Sequence, residues 1–520
     1  MTARVAFCSP SLFLIAALAG APTLPALSAG EITHTGGVLG TSVTYDLKGN
    51  PGVLYVFAPS LNNGPTPLAL FDPSDLRVLE VGLDLVSIWS LGAFDFFGNS
   101  QIVLPLPPAP ALEGLPLRAQ MVEIVLIPTV FGDLSPLNSF TLGFPQQSVF
   151  TANKNVASIY GHTTHTLDDG RVLLVGGYDD PAPGTTHERD SFVVFDPQDE
   201  SFTELPDLMS TTRAAHASAK LADGRVLVIG GANAAGGAQN TADIWDPATE
   251  KPTPTPLMNE ARIFPTATLL NDGRVFVAGG IGSFDFSDVV GALSSARRST
   301  EIYDPVTDTW TPGPDLPKGR VGHRASLLGD GRVLITGGLE VTVVFGVPVP
   351  NISSDCRRYD PGTDTILSTA SFTGQRALHG QVTLNNGDAL IAGGGDGSLL
   401  TLVAAGLDTT RVYDHQADVW TNTAPLNTAR GYLNLVNTGT EIVAIGGLTS
   451  VDLTTFTGPT STAIETTTQS VLSWTPQGDM KVGRELGLSN LYDGGLRILT
   501  TGSGHEDFNP FNDTGEIYIP

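Results

Sequence analysis

The amino-acid sequence predicts an all-β fold in which a seven-bladed β-propeller follows a small β-sandwich-like domain. The 59 glycines and 37 prolines among 520 residues are spread as punctuation between short apolar runs, which favours many strands and turns over disorder. One phrase recurs along most of the chain, with close copies at 169–177 and 223–231. Similarity at a fixed period is typical of a repeat architecture, so this phrase carries the prediction.

The first 29 residues have the pattern of an export signal. A short basic start at 1–4 is followed by the apolar stretch 5–18 and then by small residues. The apolar stretch is shorter than the roughly 20 residues that a spanning helix needs, so we expect no membrane span. The pattern therefore predicts a signal peptide over 1–29 and a mature protein that is secreted, periplasmic or at the cell surface.

Charge and cysteine content limit the partners and the cross-links. The chain has 27 Lys and Arg against 53 Asp and Glu, a formal net charge of −26. Nucleic acid and anionic membranes need clustered cations, so they are disfavoured as partners. Of the two cysteines, Cys8 lies in the predicted signal, so Cys356 remains alone and no internal disulfide is expected.

Residues 30–145 do not match the repeat. Their short apolar runs, such as 53–57, 102–106 and 121–127, are interrupted by proline and glycine, which predicts a small β-sandwich-like domain. The stretch 97–120 with 137–139 resembles a poorly characterised module of secreted bacterial proteins. That resemblance implies export and a bacterial origin, and it transfers no activity.

The repeat occupies residues 146–520. Its Gly-Gly pair stands at 176, 230, 279, 337, 393, 446 and about 501, in steps of 49 to 58 residues. Each copy predicts four strands: strand A, an Asp-Gly turn, strand B, a variable loop, strand C with an aromatic-Asp-Pro end, and strand D. Strand B is continuously apolar, so both of its faces should be buried, as in a blade between two neighbours.

Several elements recur in the same order in these copies. They are Arg-x-x-His, Asp-Gly-Arg-aliphatic-Gly-Gly, Tyr-Asp-Pro and a tryptophan in strand D, as in Arg320 with His323, 330–338, Tyr303 and Trp310. This combination resembles the kelch repeat, and the resemblance covers about residues 146–520. It implies the seven-bladed propeller architecture of galactose-oxidase-like proteins.

The two ends of the repeat array are complementary in sequence. The last copy ends at Pro520, before a strand D. Residues 148–151, ahead of the first copy, stand in the register of a strand D. We expect this segment to complete blade seven and to leave no open sheet edge.

The most ordered polar feature lies just ahead of strand A. Arginines occupy the same slot in copies two to seven: Arg213, Arg262, Arg320, Arg376, Arg430 and Arg484. Three residues later stand histidines: His216, His323 and His379, with His162 in the same slot of copy one. One hypothesis is a ligand-binding ring at the channel mouth, since guanidinium groups bind carboxylates, phosphates or acidic sugars. Recurrence in nearly every copy favours the alternative, in which both residue types are architectural.

Two further features bear on ligands. The long B–C loops 281–298, 339–354 and 448–463 differ between copies, so they either form a binding mouth or pack on each other or on the N-terminal domain. Calcium is a weaker hypothesis, because its candidate oxygen donors follow no known calcium loop. Those donors are Asp179, Asp180, Glu506, Asp507, Asn512 and Asp513.

These observations favour a non-catalytic protein that recognises a glycan or protein ligand. The sequence shows no serine triad, paired catalytic carboxylates, phosphate loop or zinc-spaced ligands, so we predict no catalytic residue, metal or cofactor. The resemblance leaves two enzymatic alternatives, a galactose-oxidase-like copper radical oxidase and a kelch-type sugar epimerase. The oxidase pattern implies a tyrosine cross-linked to a cysteine, a second tyrosine and two histidines. This sequence departs from it, because Cys356 opens a strand C and no domain is expected after blade seven.

Overall fold

The structure is a computed structural model, and it divides into two compact units. The first contains the residues up to Pro145 with Gln198–Glu200, and the second contains Gln146–Pro197 and Ser201–Pro520. The described residues are 31–68, 77–82, 84–85, 88–126, 129–143, 145–154, 159–182, 185–233, 237–284, 288–344, 347–396, 403–452, 458–471, 473–484, 488–492, 495, 497–502 and 514–520. The predicted signal peptide, residues 1–29, lies outside them and stays a prediction.

The first unit is a small β-sandwich. Its strands are β1 Glu31–Gly36, β2 Ser42–Lys48, β3 Leu54–Ser60, β4 Asn63–Pro67, β5 Val78–Val81, β6 Ser90–Ala93, β7 Asn99–Pro105, β8 Pro116–Leu126, β9 Thr129–Leu134 and β10 Asn138–Thr141. One sheet has the order β1-β2-β7, and the other has the order β10-β8-β3-β6 with β9 also on β8. Strands β4 and β5 form a separate pair, and a 3-10 turn spans Pro110–Leu112.

Alternating burial explains why these two sheets pack together. In β2 every second side chain is buried, including Val43, Tyr45 and Leu47. These side chains share one apolar cluster with Phe57 of β3 and Met121 of β8. Two sheets that cover each other's apolar faces make a sandwich, as the sequence predicts.

The second unit contains the strands of the repeat. The first half comprises β11 Ser148–Lys154, β12 Ile159–Tyr160, β13 Thr163–Thr166, β14 Val172–Val175, β15 Tyr178–Ala182, β16 Thr185–Glu188, β17 Phe192–Asp196, β18 Ser201–Glu204, β19 Ala217–Lys220, β20 Val226–Ile229, β21 Ala242–Asp246, β22 Lys251–Pro254, β23 Thr266–Leu269, β24 Val275–Ala278, α1 Val289–Ser294, β25 Thr300–Asp304 and β26 Thr309–Pro312. The second half comprises β27 Arg324–Leu327, β28 Val333–Thr336, β29 Leu339–Val344, β30 Val347–Ile352, β31 Cys356–Asp360, β32 Thr365–Ser368, β33 Gly380–Thr383, β34 Ala389–Ala392, β35 Gly395–Asp396, β36 Val403–Gly406, β37 Thr410–Asp414, β38 Val419–Asn422, β39 Asn434–Asn437, β40 Glu441–Ile445, β41 Ser450–Asp452, β42 Ile464–Thr468, β43 Thr475–Pro476, β44 Leu488–Tyr492, β45 Arg497–Thr501 and β46 Thr514–Tyr518.

These strands build seven four-stranded antiparallel sheets, one for each copy of the repeat. In chain order they are β13-β14-β17-β18, β19-β20-β21-β22, β23-β24-β25-β26, β27-β28-β31-β32, β33-β34-β37-β38, β39-β40-β42-β43 and the seventh, β44-β45-β46-β11. The first strand of each sheet, strand A, contacts strand A of the next sheet, and β44 contacts β13. The seven inner strands therefore form a closed ring, and the predicted seven-bladed propeller is confirmed.

Blade seven is completed from the other end of the unit. Strand β11 pairs antiparallel with β46, and Val149 stands opposite Ile517. The backbone N–H of Gln146 also donates to the carbonyl of Ile519 at 2.6 Å. The expected strand D from residues 148–151 is thus present, and this pairing joins the two ends of the array.

Turn chemistry and apolar runs fix each blade. At the A–B turn of blade two, Gly224 has φ 85°, and the carboxylate of Asp223 accepts the backbone N–H of Arg225 at 3.2 Å. Strand B behind it, Val226–Ile229, is buried at all four positions. Trp245 from strand C has no exposed surface and packs with apolar residues of blade one. The propeller is therefore held together by apolar layers between neighbouring blades.

Helix content is minimal. The helix α1 has six residues, and no helix in the described ranges is long and apolar enough to cross a membrane.

Candidate functional site

One face of the propeller is formed by two sets of loops. The loop from strand D to the next strand A pairs with the B–C loop of the same blade through single antiparallel bridges. The bridged pairs are Ala214 with Ala232, Ile263 with Ile281, Val321 with Leu339, Ala377 with Gly395, and Gly431 with Leu448. We call this surface the loop face, and it carries the arginines and histidines that the sequence singled out.

The six repeated arginines, the arginine ring, are buried in the body of the blades. Each has 2% or less of its surface exposed: Arg213, Arg262, Arg320, Arg376, Arg430 and Arg484. The guanidinium of Arg213 donates to the carbonyls of Gly230 and Thr241, each at 3.0 Å. Arg262 repeats this with Gly279 and Ser299, each at 2.9 Å. These carbonyls flank the B–C loop, so Arg213 and Arg262 close the base of that loop in their blades.

A carboxylate from strand C, or from the residue before it, completes most of these sites. The ion pairs are Arg213–Asp243 at 2.6 Å, Arg262–Glu301 at 3.1 Å, Arg320–Asp355 at 2.6 Å, Arg430–Glu465 at 3.1 Å and Arg484–Glu516 at 3.4 Å. These contacts match the architectural alternative. Because the guanidinium groups are buried and paired, direct ligand binding by the arginine ring remains a prediction that its geometry does not support.

Arg376 of blade five differs from the rest of the ring. Its guanidinium donates to the carbonyl and the hydroxyl of Thr409 at 2.9 and 2.5 Å, as Arg213 does to Thr241, but no carboxylate is added in the described structure. Among the described residues, Arg376 makes no ion pair. The position in strand C that holds Glu301 in blade three holds Arg411 in blade five. Burial, with the nearby Arg411 charge, lowers the pKa of Arg376 to about 9.

The Gly-Gly pair and the arginine together join neighbouring blades. The second glycine donates its N–H to the arginine carbonyl of the following blade, as in Gly177 to Arg213 at 2.9 Å and Gly338 to Arg376 at 2.9 Å. A Cβ on Gly176 would lie 2.6 Å from that same Arg213 carbonyl oxygen. Only glycine leaves room for these two backbone segments to pass so close together, which explains why the Gly-Gly pair recurs in the repeat.

The histidines bond across blade boundaries. Nε2 of His216 lies 2.9 Å from Oγ1 of Thr163, and Nε2 of His323 lies 3.0 Å from Oγ1 of Thr266. His162 reaches Thr501 at 2.9 Å, and His379 reaches Thr336 at 2.7 Å. Burial lowers the pKa of His162 and of His323 to about 3, with the charge of a nearby arginine acting in the same direction. These rings are therefore neutral hydrogen-bonding groups at physiological pH.

A cavity of about 200 Å³ lies where the D–A loops meet around the propeller axis. We call it the central cavity. Its wall includes the residues His162, His216 and His323, so three of the predicted histidines contribute to one site. His379 and the six ring arginines are not part of this wall.

Main-chain hydrogen bonds encircle the central cavity. The N–H of Phe264 donates to the carbonyl of Ala215 at 2.7 Å, and the N–H of Tyr432 donates to Leu378 at 2.7 Å. These four residues have left-handed backbones, with φ between 52° and 56°. Such a conformation is costly for a residue with a Cβ, so the interblade bonds must hold it in place. The cavity rim is thus fixed by backbone geometry.

Sequence reasoning missed Arg324, the residue that gives the central cavity its charge. It is half-buried, lines the cavity and opens strand β27 directly after His323. The same slot holds Thr163, Ala217, Thr266, Gly380 and Asn434 in other copies. The signal was therefore a departure from the repeat, which a search for recurring residues passes over.

The long B–C loops pack on each other. Helix α1, from the loop of blade three, contacts β29 and β30, the hairpin from the loop of blade four. Strand β36 from blade five pairs with β41 from blade six, with Ala404 opposite Val451. Of the alternatives left open by the sequence, contact between loops is present on the loop face.

The other sequence candidates show no comparable site. The thiol of Cys356 is buried beside Phe372, Ile391 and Trp420, and burial raises its pKa to about 12. That cluster contains no tyrosine, so the residues around Cys356 do not fit the cysteine–tyrosine pair of a copper radical oxidase. Of the calcium candidates, Asp179 pairs with Arg189 at 2.6 Å. The side chain of Asp180 and residues Glu506, Asp507, Asn512 and Asp513 lie outside the described part of the chain.

One other set of potential ligands is close together in the described ranges. Asp388, Asp414 and His415 lie at the A–B and C–D turns of blade five. Nδ1 of His415 is 2.7 Å from the Asp388 carboxylate, so two of the three already pair with each other.

Comparisons with known proteins agree with this architecture. A family model described as the kelch motif matches residues 265–317. Kelch-like protein 36 of Rattus norvegicus is 25% identical over 339 residues, which cover 64% of this chain and 51% of the relative. Kelch-like protein terF of Aspergillus terreus is 26% identical over 273 residues, covering 49% of this chain and 53% of the relative. The chain thus spans about half the length of these curated relatives.

A solved structure shares the fold. It is described as a novel fungal alcohol oxidase of the AA5 family in complex with copper, with TM-score 0.55 and 18% identity over 71% of this chain and 75% of the oxidase. At this identity the likeness concerns the fold alone. With the repeat, the seven blades and the matching motif, these findings define a kelch-repeat β-propeller protein.

Proposed function

We propose that this chain is an exported, non-catalytic binding protein that recognises a glycan or protein ligand at its loop face. The observation that carries the proposal is the central cavity, which opens among the D–A loops and is walled by side chains from several blades. A recess with apolar walls and a few convergent polar groups is the usual form of a binding site. Export is supported by the pattern of residues 1–29.

The polar residues of the loop face support recognition over catalysis. The repeated arginines are occupied by carbonyls and carboxylates, and the histidines are neutral and bonded to threonines. General acid–base catalysis needs a group that can exchange a proton near the working pH, and a histidine with pKa about 3 is poorly suited to it. A rim held by main-chain hydrogen bonds, with B–C loops outside it that differ between copies, favours ligand selection instead.

The test is ligand screening followed by a matched pair of variants. Purified 30–520 is applied to glycan and peptide arrays, and hits are quantified by calorimetry. Tyr432→Ala removes a ring from the cavity wall, and we expect it to weaken binding about tenfold, the loss of roughly one good contact. The control is Val306→Ala, at the C–D turn on the opposite face, where the side chain is 92% exposed.

Three results would contradict the proposal. They are the absence of any array ligand, equal affinities of the two variants at unchanged melting temperature, and copper at one atom per chain in elemental analysis. Copper at that ratio would favour an oxidase.

A further inference from the structure

Arg324 differs from the five ring arginines that pair with a carboxylate, because no described residue supplies a counter-charge to it. Arg376 also lacks a carboxylate, but both of its terminal nitrogens have acceptors. Nε of Arg324 donates to the carbonyl of His379 at 2.7 Å. Across the described residues, its two terminal nitrogens make neither a hydrogen bond nor an ion pair. Four residues earlier, Arg320 has two carbonyls and the Asp355 carboxylate on its terminal nitrogens. The two terminal NH2 groups of Arg324 are therefore available to donate hydrogen bonds to a ligand.

The surroundings of Arg324 make an unmatched charge costly. It is half-buried in the wall of the central cavity, and desolvation lowers the pKa of its guanidinium. The described wall contains no Asp or Glu. Its histidines are neutral, so Arg324 supplies the one formal charge on that part of the wall. In a chain of net charge −26, this leaves a positive cavity in an acidic protein.

A second donor comes from the pairing of His216 with Thr163. Nδ1 of His216 is buried and has no hydrogen-bond partner in the described structure. In the tautomer with the proton on Nε2, the neutral ring donates to Oγ1 of Thr163. The hydroxyl hydrogen of Thr163 is then left to donate elsewhere, and Thr163 lines the same cavity. The wall thus offers donors from two blades.

We propose that the central cavity binds a carboxylate group, held by the fork of Arg324, with the hydroxyl of Thr163 in the wall of the same cavity as a second polar group. This inference rests on the proposed function and names the chemistry that the site recognises. A planar carboxylate matches the two parallel N–H groups of a guanidinium. One guanidinium balances one negative charge, whereas a phosphate dianion would leave an unbalanced charge in a partly desolvated site. The carboxylate comes either from an acidic sugar or from the acidic side chain of a peptide.

The experiment compares charged probes with neutral twins by calorimetry. Glucuronate is paired with its methyl ester, and the peptide acetyl-Gly-Glu-Gly-amide is paired with its Gln analogue. We expect one charged probe to bind at least about tenfold more tightly than its neutral twin, as for a charge-assisted bidentate contact. Arg324→Gln should abolish that preference, and Arg324→Lys should keep part of it because it retains the charge and loses the fork.

The control is Arg298→Gln, which removes an exposed arginine whose partner is Asp315, outside the cavity. It should bind like the unmodified protein. Melting temperatures of all variants separate lost binding from lost folding, and Arg324→Lys serves if Arg324→Gln does not fold. The proposal is overturned if neither charged probe binds up to about 10 mM, if charged and neutral twins bind alike, or if Arg324→Gln keeps the preference.

The outcomes also separate this inference from the proposed function. An array ligand whose binding depends on Tyr432 and not on Arg324 leaves a binding protein without a carboxylate site. The absence of all array ligands removes the proposed function, while a charge preference that depends on Arg324 would still establish the cavity as a small-anion site.

Discussion

Arg213 and Asp243 form an ion pair of 2.6 Å in which neither side chain has any exposed surface. The pair lies inside blade two, and the carbonyl of Arg213 accepts an N–H from Gly177 in blade one. One residue thus fixes the base of its own B–C loop and the seam to its neighbour. Repeated in other blades, this arrangement explains why the arginines recur, and it places them in the architecture of the loop face.

Asp243→Asn should strongly destabilise the propeller. The substitution leaves the Arg213 guanidinium buried without a counter-charge, which typically costs about 3 to 5 kcal/mol. We expect this loss in the free energy of unfolding by urea. The matched control is Asp223→Asn, whose partner Arg225 is at 2.8 Å in a solvated turn, and it should cost less than about 1 kcal/mol. Equal losses for the two variants would show that the buried pair is not a principal support.

Thr409→Asp should stabilise the propeller. Thr409 occupies the slot that Asp355 fills beside Arg320, and Arg376 makes no ion pair within the described residues. A carboxylate here would offset the desolvation that lowers the pKa of Arg376, adding about 1 to 2 kcal/mol to the free energy of unfolding. Thr421→Asp, on the exposed strand β38, adds the same charge as a control. A fall in melting temperature for Thr409→Asp alone would refute this account of the arginine site.

The sequence predicted the repeated parts of this fold well. Asp-Gly turns, apolar B strands and Gly-Gly pairs act through local backbone geometry, so Gly224 and Val226–Ile229 lie where the pattern placed them. The sequence could not decide what the arginines contact, because the residue type at the partner position in strand C differs between blades. That position holds the acids Asp243 and Glu301 in blades two and three, and it holds Arg411 in blade five.

Features that occur once were beyond the sequence pattern. The pairing of β36 with β41 joins loops of two blades that share no motif, and nothing local specifies it. Arg324 stands in a slot where other copies carry small or neutral residues. Its importance depends on which side chains surround the central cavity, and that follows from closure of the ring.

Deletion of residues 146–152 should lower the melting temperature of the propeller sharply. It removes the strand that pairs with β46, so the N–H and C=O groups of β46 that face it are left without a partner at a sheet edge. The unfolding transition of the second unit is followed by calorimetry. Deletion of β1, residues 31–36, which pairs with β2 in the first unit, is the control and should leave that transition in place. An unchanged transition after the 146–152 deletion would refute closure by β11.

Acidification should destabilise the propeller through its interblade histidines. The pKa of His323 is about 3 in the folded state against about 6.5 when unfolded, so the unfolded chain binds more protons between these values. The contribution is therefore complete above pH 6.5 and is lost as the pH falls towards 3. We expect the free energy of unfolding to drop by about 1.4 kcal/mol per pH unit for this residue.

His323→Gln tests this assignment because it removes the titrating group while keeping a polar side chain near Thr266. The variant should be less stable than the unmodified protein at pH 7.5, since packing beside Gly279 is lost. The difference should narrow steadily between pH 6 and pH 4, because only the unmodified protein has this proton to gain on unfolding. Between pH 7.5 and 8.5 the ring is neutral in both states, so the difference should stay constant there. A gap that is independent of pH throughout would mean that the pKa of His323 is the same in the folded and unfolded states, so that burial beside Thr266 does not keep its ring neutral.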